Sequence, residues 1–471
     1  MIEMSLSQCL FQSPDIERIE TASPLEEAVL HRLLLALLHR ALEGPKDVDE
    51  PLSWLKAGAF PRAPLEAYME RYHERFFLFH ETAPFFQVGD LPEDPPPVPW
   101  VKLLPELASG NNPTLFDHTL DSSFPSATYV EVARALLVHE SFSTGGLLKR
   151  FGVTSGEGAP VAAAAVFLPF GRSLLETLVL NLVPYLSRRD EPVWERPPLT
   201  TEELEGERRT QPLTGVTRVY TWPARGIRLL DDGTGVRFMA YGPGLTPLAV
   251  DFRDPMVAYR VSERDGYVPL RLDRERSFWR DFSALLPAAE GTWPSALEHA
   301  ASLTRERSTS YALRVIGQVT NKAKVLDVRR EVYPLPGDLL SPGAQADLQQ
   351  ALTRAEELGR GLGKAAWQLA QGALGKSDPN ELRTFLGSLP LLRLFWTELD
   401  AAFPLFLEKL AQEEALIRWR DDLGRSAWLA WGATRRSLGH TGRYLKGFAQ
   451  GERELWTSLR ALGLRAVKEV Q

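Results

Sequence analysis

The chain has a single cysteine, Cys9, among its 471 residues. This excludes an internal disulfide framework or a cysteine-rich metal cluster and fits a reducing, cytoplasmic setting. Cys9 itself reads as a small buried apolar side chain. Long hydrophobic runs are also missing. The most apolar stretch near the N-terminus, Leu33 to Leu38, is flanked by His31, Arg32, His39 and Arg40, too short to cross a bilayer and wrongly flanked for a signal peptide. The eight histidines are scattered and no pair has zinc-protease spacing, so neither a metal nor another cofactor is expected. Gly359-Arg360-Gly361-Leu362-Gly363-Lys364 lacks the earlier glycine, the following Ser or Thr and the preceding strand of a phosphate loop, and reads as small residues packing on a helix face. An excess of positive charge is absent too. A net charge of -7 argues against coating nucleic acid non-specifically, so any DNA contact must be local.

What is present describes an ordered protein of more than one core, with 44% hydrophobic residues, 12 Trp and 22 Phe. Ser23-Pro24-Leu25-Glu26 combines an N-cap Ser, a first-turn Pro and a Glu three residues after the cap, which predicts a helix to about Leu42, buried on most sides. Helices are also expected over 64–77, 127–139 and 171–185, with a strand over 161–168 and flexible stretches at Ser143-Thr144-Gly145-Gly146 and 152–158. Residues 215–333 are mainly strand territory. Within them, 311–319 and 324–332 flank the polar segment Thr320-Asn321-Lys322-Ala323 as a β-hairpin. Beyond Pro334-Leu335-Pro336 four helical segments, near 341–373, 378–411, 413–438 and 442–469, follow one another through short loops. The fold class is α+β: a large mixed N-terminal domain over 1–336, then an antiparallel four-helix bundle over 337–471. From Arg418 onward basic residues outnumber acidic ones.

Few of these residues suggest chemistry. Asp117-His118 could supply a base and its orienter in a metal-dependent nuclease or hydrolase, but sequence neighbours usually point apart and no G-x-S-x-G nucleophile turn accompanies them. Lys322 at a hairpin tip and the C-terminal arginines read first as solvated charge and second as a binding surface.

The order of these features carries a resemblance over essentially the whole chain. A helix-rich N-terminal part, Ala108-Ser109-Gly110-Asn111-Asn112-Pro113-Thr114-Leu115-Phe116-Asp117-His118, the glycines at 145–146, the run Thr320 to Val332 and a terminal bundle together resemble the large subunit (CasA-like) of the type I-E CRISPR Cascade surveillance complex. The resemblance implies a non-catalytic protein that recognises the protospacer-adjacent motif (PAM) of double-stranded DNA from the minor groove. It also implies a role in starting R-loop formation and recruiting a helicase-nuclease. The implied partners are the other Cascade subunits and crRNA, target DNA and that nuclease, with no membrane. By position, Gly145 and Gly146 match a glycine loop, and Asn321, Lys322 and Ala323 fall on a wedge tip. Phe116, Asp117 and His118 open a loop that anchors the subunit to crRNA and a neighbouring subunit. Arg418, Arg425, Arg435 and Arg443 would hold a DNA strand on the bundle.

Four departures stand out. Relatives carry glutamine on the wedge where this chain aligns Lys322. No lysine occurs between Lys149 and Lys322 to match the family's lysine finger, so either an arginine such as Arg237 takes its place or that contact is absent. Paired cysteines resembling a zinc site in some relatives are missing here, and so is a W-I-P motif before Met4-Ser5-Leu6, which leads to the expectation that one N-terminal strand is lacking.

Overall fold

A computed structural model describes the chain except Met1 and residues 107–124, 185–188, 249–251, 265, 287–292, 308–310, 338, 340, 376–377, 411, 413, 440 and 465–471. It divides into two compact units, Met1–Arg276 with Pro287–Val332, and Ser277–Leu286 with Tyr333–Gln471. The second unit thus takes in a short segment that precedes the hairpin in sequence, in addition to the C-terminal helices.

The first unit is organised on the helix Pro24–Ala41, capped by Ser23 and carrying Glu26 and Glu27 in its first turn and His39 and Arg40 in its last. That charge order complements the helix dipole. Nearly every side chain on it is buried, including His31, Arg32 and His39. The helix Tyr129–Phe142 starts from a capping box of Thr128 and Glu131 and packs alongside it. The unit also holds two three-stranded antiparallel sheets and smaller two-stranded ones. In one three-stranded sheet, Val98–Pro99, Val236–Pro243 and Arg225–Asp231 lie in that order. In the other, Lys324–Leu335, Tyr311–Asn321 and Val166–Phe170 are adjacent, with Ala312 opposite Phe170 and Ile316 opposite Val166.

Buried charges tie this second sheet to the central helix. The Glu27 carboxylate, fully buried, receives Arg314 from one strand of the long hairpin and Arg330, at 2.9 Å, from the other. Arg32 pairs with Asp254 at 2.8 Å, also out of solvent.

Several elements depart from the sequence reading. Residues 152–158 contain the strand Val153–Gly156, antiparallel to Gly146–Arg150 with Gly146 opposite Gly156, so the two glycine stretches are the two ends of one short hairpin. The strand expected over 161–168 is Val166–Phe170, because Ala162 and Ala164 donate backward to Ala159 and Val161 and form turns first. The strand-rich region also holds helices at Val216–Tyr220 and Ser295–Arg307.

In the second unit the helices are Pro342–Leu374, Pro379–Ser388, Leu391–Glu408, Ala415–Leu438 and Gly442–Ala461. The second predicted rod is broken at Leu389-Pro390, where Leu389 is extended at φ -74° and ψ 128°, the conformation a following proline favours. Trp279 anchors the core. It stacks on Phe403 at 4.6 Å, meets Trp419 edge-on at 5.9 Å and donates from its indole N–H to Asp400 at 2.6 Å. Gly359 lies in mid-helix, where a Cβ would sit 2.4 Å from the Trp396 ring, which accounts for that glycine by packing. Among the described residues no helix is long and apolar enough to cross a membrane.

Candidate nucleic-acid interface

The long hairpin turns through Lys322 and Ala323, between strands ending at Asn321 and starting at Lys324. Lys322 has φ 55°, the left-handed conformation that tight hairpin turns require at their first central residue. For a residue with a side chain it costs about 1–2 kcal/mol. Asn321 and Lys322 are exposed and Ala323 is half-buried, so the tip projects polar groups from a narrow support.

The glycines lie directly beside this tip. A Cβ built on Gly146 would come 3.6 Å from the Ala323 Cβ, and the Thr144 hydroxyl donates to the Ala323 carbonyl at 3.0 Å. Further down the strand, the Gln318 amide donates to the carbonyls of Phe142 and Ala162 at 2.6 Å each, spanning the entry and exit of the glycine hairpin. Gly145 is closed in by its own loop. A Cβ there would meet the Gly158 nitrogen at 3.0 Å and the Gly156 oxygen at 3.1 Å, both rigid backbone, so the approach of the two arms requires glycine.

Beneath the loop lies a group of buried polar side chains. The Arg225 guanidinium donates to the Thr144 carbonyl at 2.8 Å, to Glu157 at 2.8 Å and to Ala224 at 2.7 Å. Its backbone N–H donates to Glu140 at 2.9 Å. Burial pushes the Glu140 carboxyl up to about 8 and, with the charge of Arg225 adding to it, pushes His139 down to about 3. At neutral pH His139 is uncharged and shares a 2.9 Å hydrogen bond with the Tyr241 hydroxyl. Arg150 donates to the backbone carbonyls of Tyr241 at 2.8 Å and Asp94 at 3.0 Å, holding the far end of the same short hairpin.

The other candidates are placed as follows. Phe116, Asp117 and His118 lie outside the described residues. Arg237 stands near the start of Val236–Pro243 with its guanidinium 5.8 Å from the Phe238 ring, whereas that strand meets the glycine hairpin at its other end, where Gly242 faces Arg150. Arg418, Arg425, Arg435 and Arg443 are all exposed on the second unit. Arg418 and Arg425, seven residues apart, share a helix face, and Arg425 pairs with Asp422 at 2.7 Å. Among the described residues no three His, Cys, Asp or Glu side chains converge in a way that could hold a metal ion. The sequence reading missed Thr144, Arg225 and Gln318, the residues that join the glycine loop to the tip. Their signal is faint: a long polar side chain among apolar neighbours, as in Trp222 to Ile227 and Val315 to Val319.

The sequence profile of CRISPR-associated protein Cse1 matches residues 2–430. A curated relative from Thermus thermophilus, "CRISPR-associated protein CasA/Cse1", is 54% identical over 476 residues, spanning 98% of this chain and 95% of that protein. A crystal structure of Thermus thermophilus CasA superposes with a TM-score of 0.91 at 52% identity, covering 98% of this chain and 96% of that one. A chain of a "CRISPR RNA-guided surveillance complex" shares the fold, with a TM-score of 0.79 at 21% identity over 96% and 95% of the two chains.

Proposed function

Because the chain belongs to the Cse1 family of CRISPR-associated proteins, we propose that it is the large subunit of a crRNA-guided surveillance complex that reads the PAM in double-stranded DNA. It works in the cytoplasm with the other Cascade subunits and crRNA. A chain of the same fold belongs to such a complex. The observation that carries the reading is the contact between the glycine loop and the hairpin tip, tied by the Thr144 hydroxyl to Ala323. A narrow support that offers backbone at one point and a projecting turn beside it suits a groove about 6 Å wide, where most side chains collide with the walls.

In this reading Gly145 and Gly146 lie along the minor-groove floor and Asn321, Lys322 and Ala323 enter beside the last base pair. Unstacking that step costs a few kcal/mol, which pairing of the displaced target strand with the guide recovers as the opening propagates. The minor groove distinguishes A·T from G·C better than it distinguishes orientation, so several related motifs are accepted. Lys322 donates but cannot accept, so it seeks base acceptors or phosphate where a glutamine would serve either role. The basic surface with Arg418, Arg425, Arg435 and Arg443 contacts DNA through phosphates. Phe116, Asp117 and His118 belong to the segment that anchors the subunit to crRNA and its neighbour. The chain has no hydrolytic step of its own, and cleavage falls to a helicase-nuclease that it recruits.

The test is a binding titration of the reconstituted complex on targets with the correct or a scrambled flanking motif, using wild type and Lys322→Ala. Wild type is expected to favour the correct flank by tenfold or more, and Lys322→Ala to lose most of that preference. Equal binding of both flanks by wild type would overturn the motif-reading role. Discrimination unchanged in Lys322→Ala would overturn only the role of the tip lysine.

A further inference from the structure

We propose that Arg225 is a positioning residue for motif reading: its guanidinium draws one carbonyl from each arm of the glycine loop, Thr144 and Glu157, into the protein and away from the groove. This inference rests on the DNA-reading role proposed above.

The geometry is specific. Arg225 is 3% exposed, so it cannot itself reach a base. Its fork bridges the two arms, taking Thr144 on the entering side and Glu157 on the leaving side, each at 2.8 Å. Both acceptors flank the glycines, and a Cβ built on the neighbouring Gly156 would lie 3.7 Å from the guanidinium. A planar guanidinium can serve two divergent carbonyls at once, whereas an ammonium is a compact point charge with no such fork.

The chemistry of the ligand explains why this matters. The floor of the minor groove presents acceptors, A N3 and T O2, in a region of negative potential. A loop whose carbonyl oxygens faced outward would be repelled there. Turning the Thr144 and Glu157 oxygens inward removes that repulsion. The guanidinium of Arg225 donates to three neutral carbonyl oxygens, so a positive charge lies directly under the loop. The Glu140 carboxyl below, raised to about 8 by burial, is mostly protonated at neutral pH and does little to cancel it. The Thr144 backbone is also the link to the tip, because the same residue's hydroxyl holds Ala323. One buried arginine thereby sets the height of both reading elements.

The experiment compares wild type and Arg225→Gln in the reconstituted complex on three duplexes: correct flank, scrambled flank, and a target whose first guide-complementary base pairs are already unpaired. The expected result is that Arg225→Gln loses tenfold or more of the preference for the correct flank while binding the pre-opened target within about twofold of wild type. Equal loss on the pre-opened target would mean that Arg225 only supports the fold, and full retention of discrimination would mean that it does not position the loop; either overturns the inference. If Arg225→Gln does not assemble, Arg225→Lys is measured instead. It keeps the charge but not the fork, and discrimination is expected to fall at least threefold with pre-opened binding retained; unchanged discrimination sinks the idea. Failure of wild type to discriminate would remove the DNA-reading role itself, a different result from any of these.

Discussion

Gly145 and Gly146 are adjacent in sequence, yet they face different constraints. The arms of the loop close on Gly145 to 3.0 and 3.1 Å of backbone atoms, leaving no room for a side chain without moving a strand. Gly146 has open space except for an ordinary 3.6 Å contact with Ala323. Gly145→Val in the assembled complex is therefore expected to weaken binding to a correctly flanked target by about tenfold or more, about 1.4 kcal/mol. Gly146→Ala should leave the melting temperature of the free chain unchanged and act only on DNA binding. Matching effects of the two substitutions on stability would contradict this difference. Both glycines were legible from sequence as a loop, and the resemblance assigned them a role. Their unequal constraint was not, because it arises from Gly156, the last residue of the partner strand, and Gly158 just beyond it, both of which the sequence reading placed in a flexible stretch.

The long hairpin was read from alternating apolar residues and a short polar turn, and its strands proved longer, reaching Asn321 on one side and Leu335 on the other. Sequence could not show how it is held. Glu27 lies far away in the chain, and its two arginine partners come from opposite strands. Glu27→Ala would leave Arg314 largely buried without its counter-ion, a loss of about 3–5 kcal/mol, to be measured by urea unfolding of the free chain. A loss below about 1 kcal/mol would show that the pair is not what fixes the hairpin base. In the helical part, Pro390 was in plain view inside a segment read as one rod over 378–411. The extended backbone at Leu389 decided otherwise.

At the scale of the whole molecule, composition announced an ordered, acidic protein of several cores and said nothing of the charge hidden inside it. His31, His39, His139 and His299 are all pushed down by burial, His39 and His139 to about 3 and His299 to about 4. Each is neutral when folded and takes up a proton when unfolded below about 6.5, so its contribution is complete above that pH and is lost as pH falls below it. Glu140 works the other way. Its folded value of about 8 lies above the unfolded one, so its contribution is full in acid and lost as pH rises through 8. All five groups lie in the first unit, and its melting temperature is expected to peak near pH 6.5 and fall on both sides, more steeply in acid. Calorimetry between about pH 4.5 and 9 checks this, and a flat profile would contradict it.

The Thr144 hydroxyl grips a main-chain carbonyl of the tip, and every residue type supplies that atom. Placement of the tip is therefore insulated from the identity of its side chains. At positions 321 to 323 lysine can be exchanged for glutamine or another polar group while the turn stays in register with the glycine loop. On the proposed DNA-reading role, such an arrangement lets the flanking sequences that are accepted be retuned one substitution at a time, without rebuilding the fold that presents the tip.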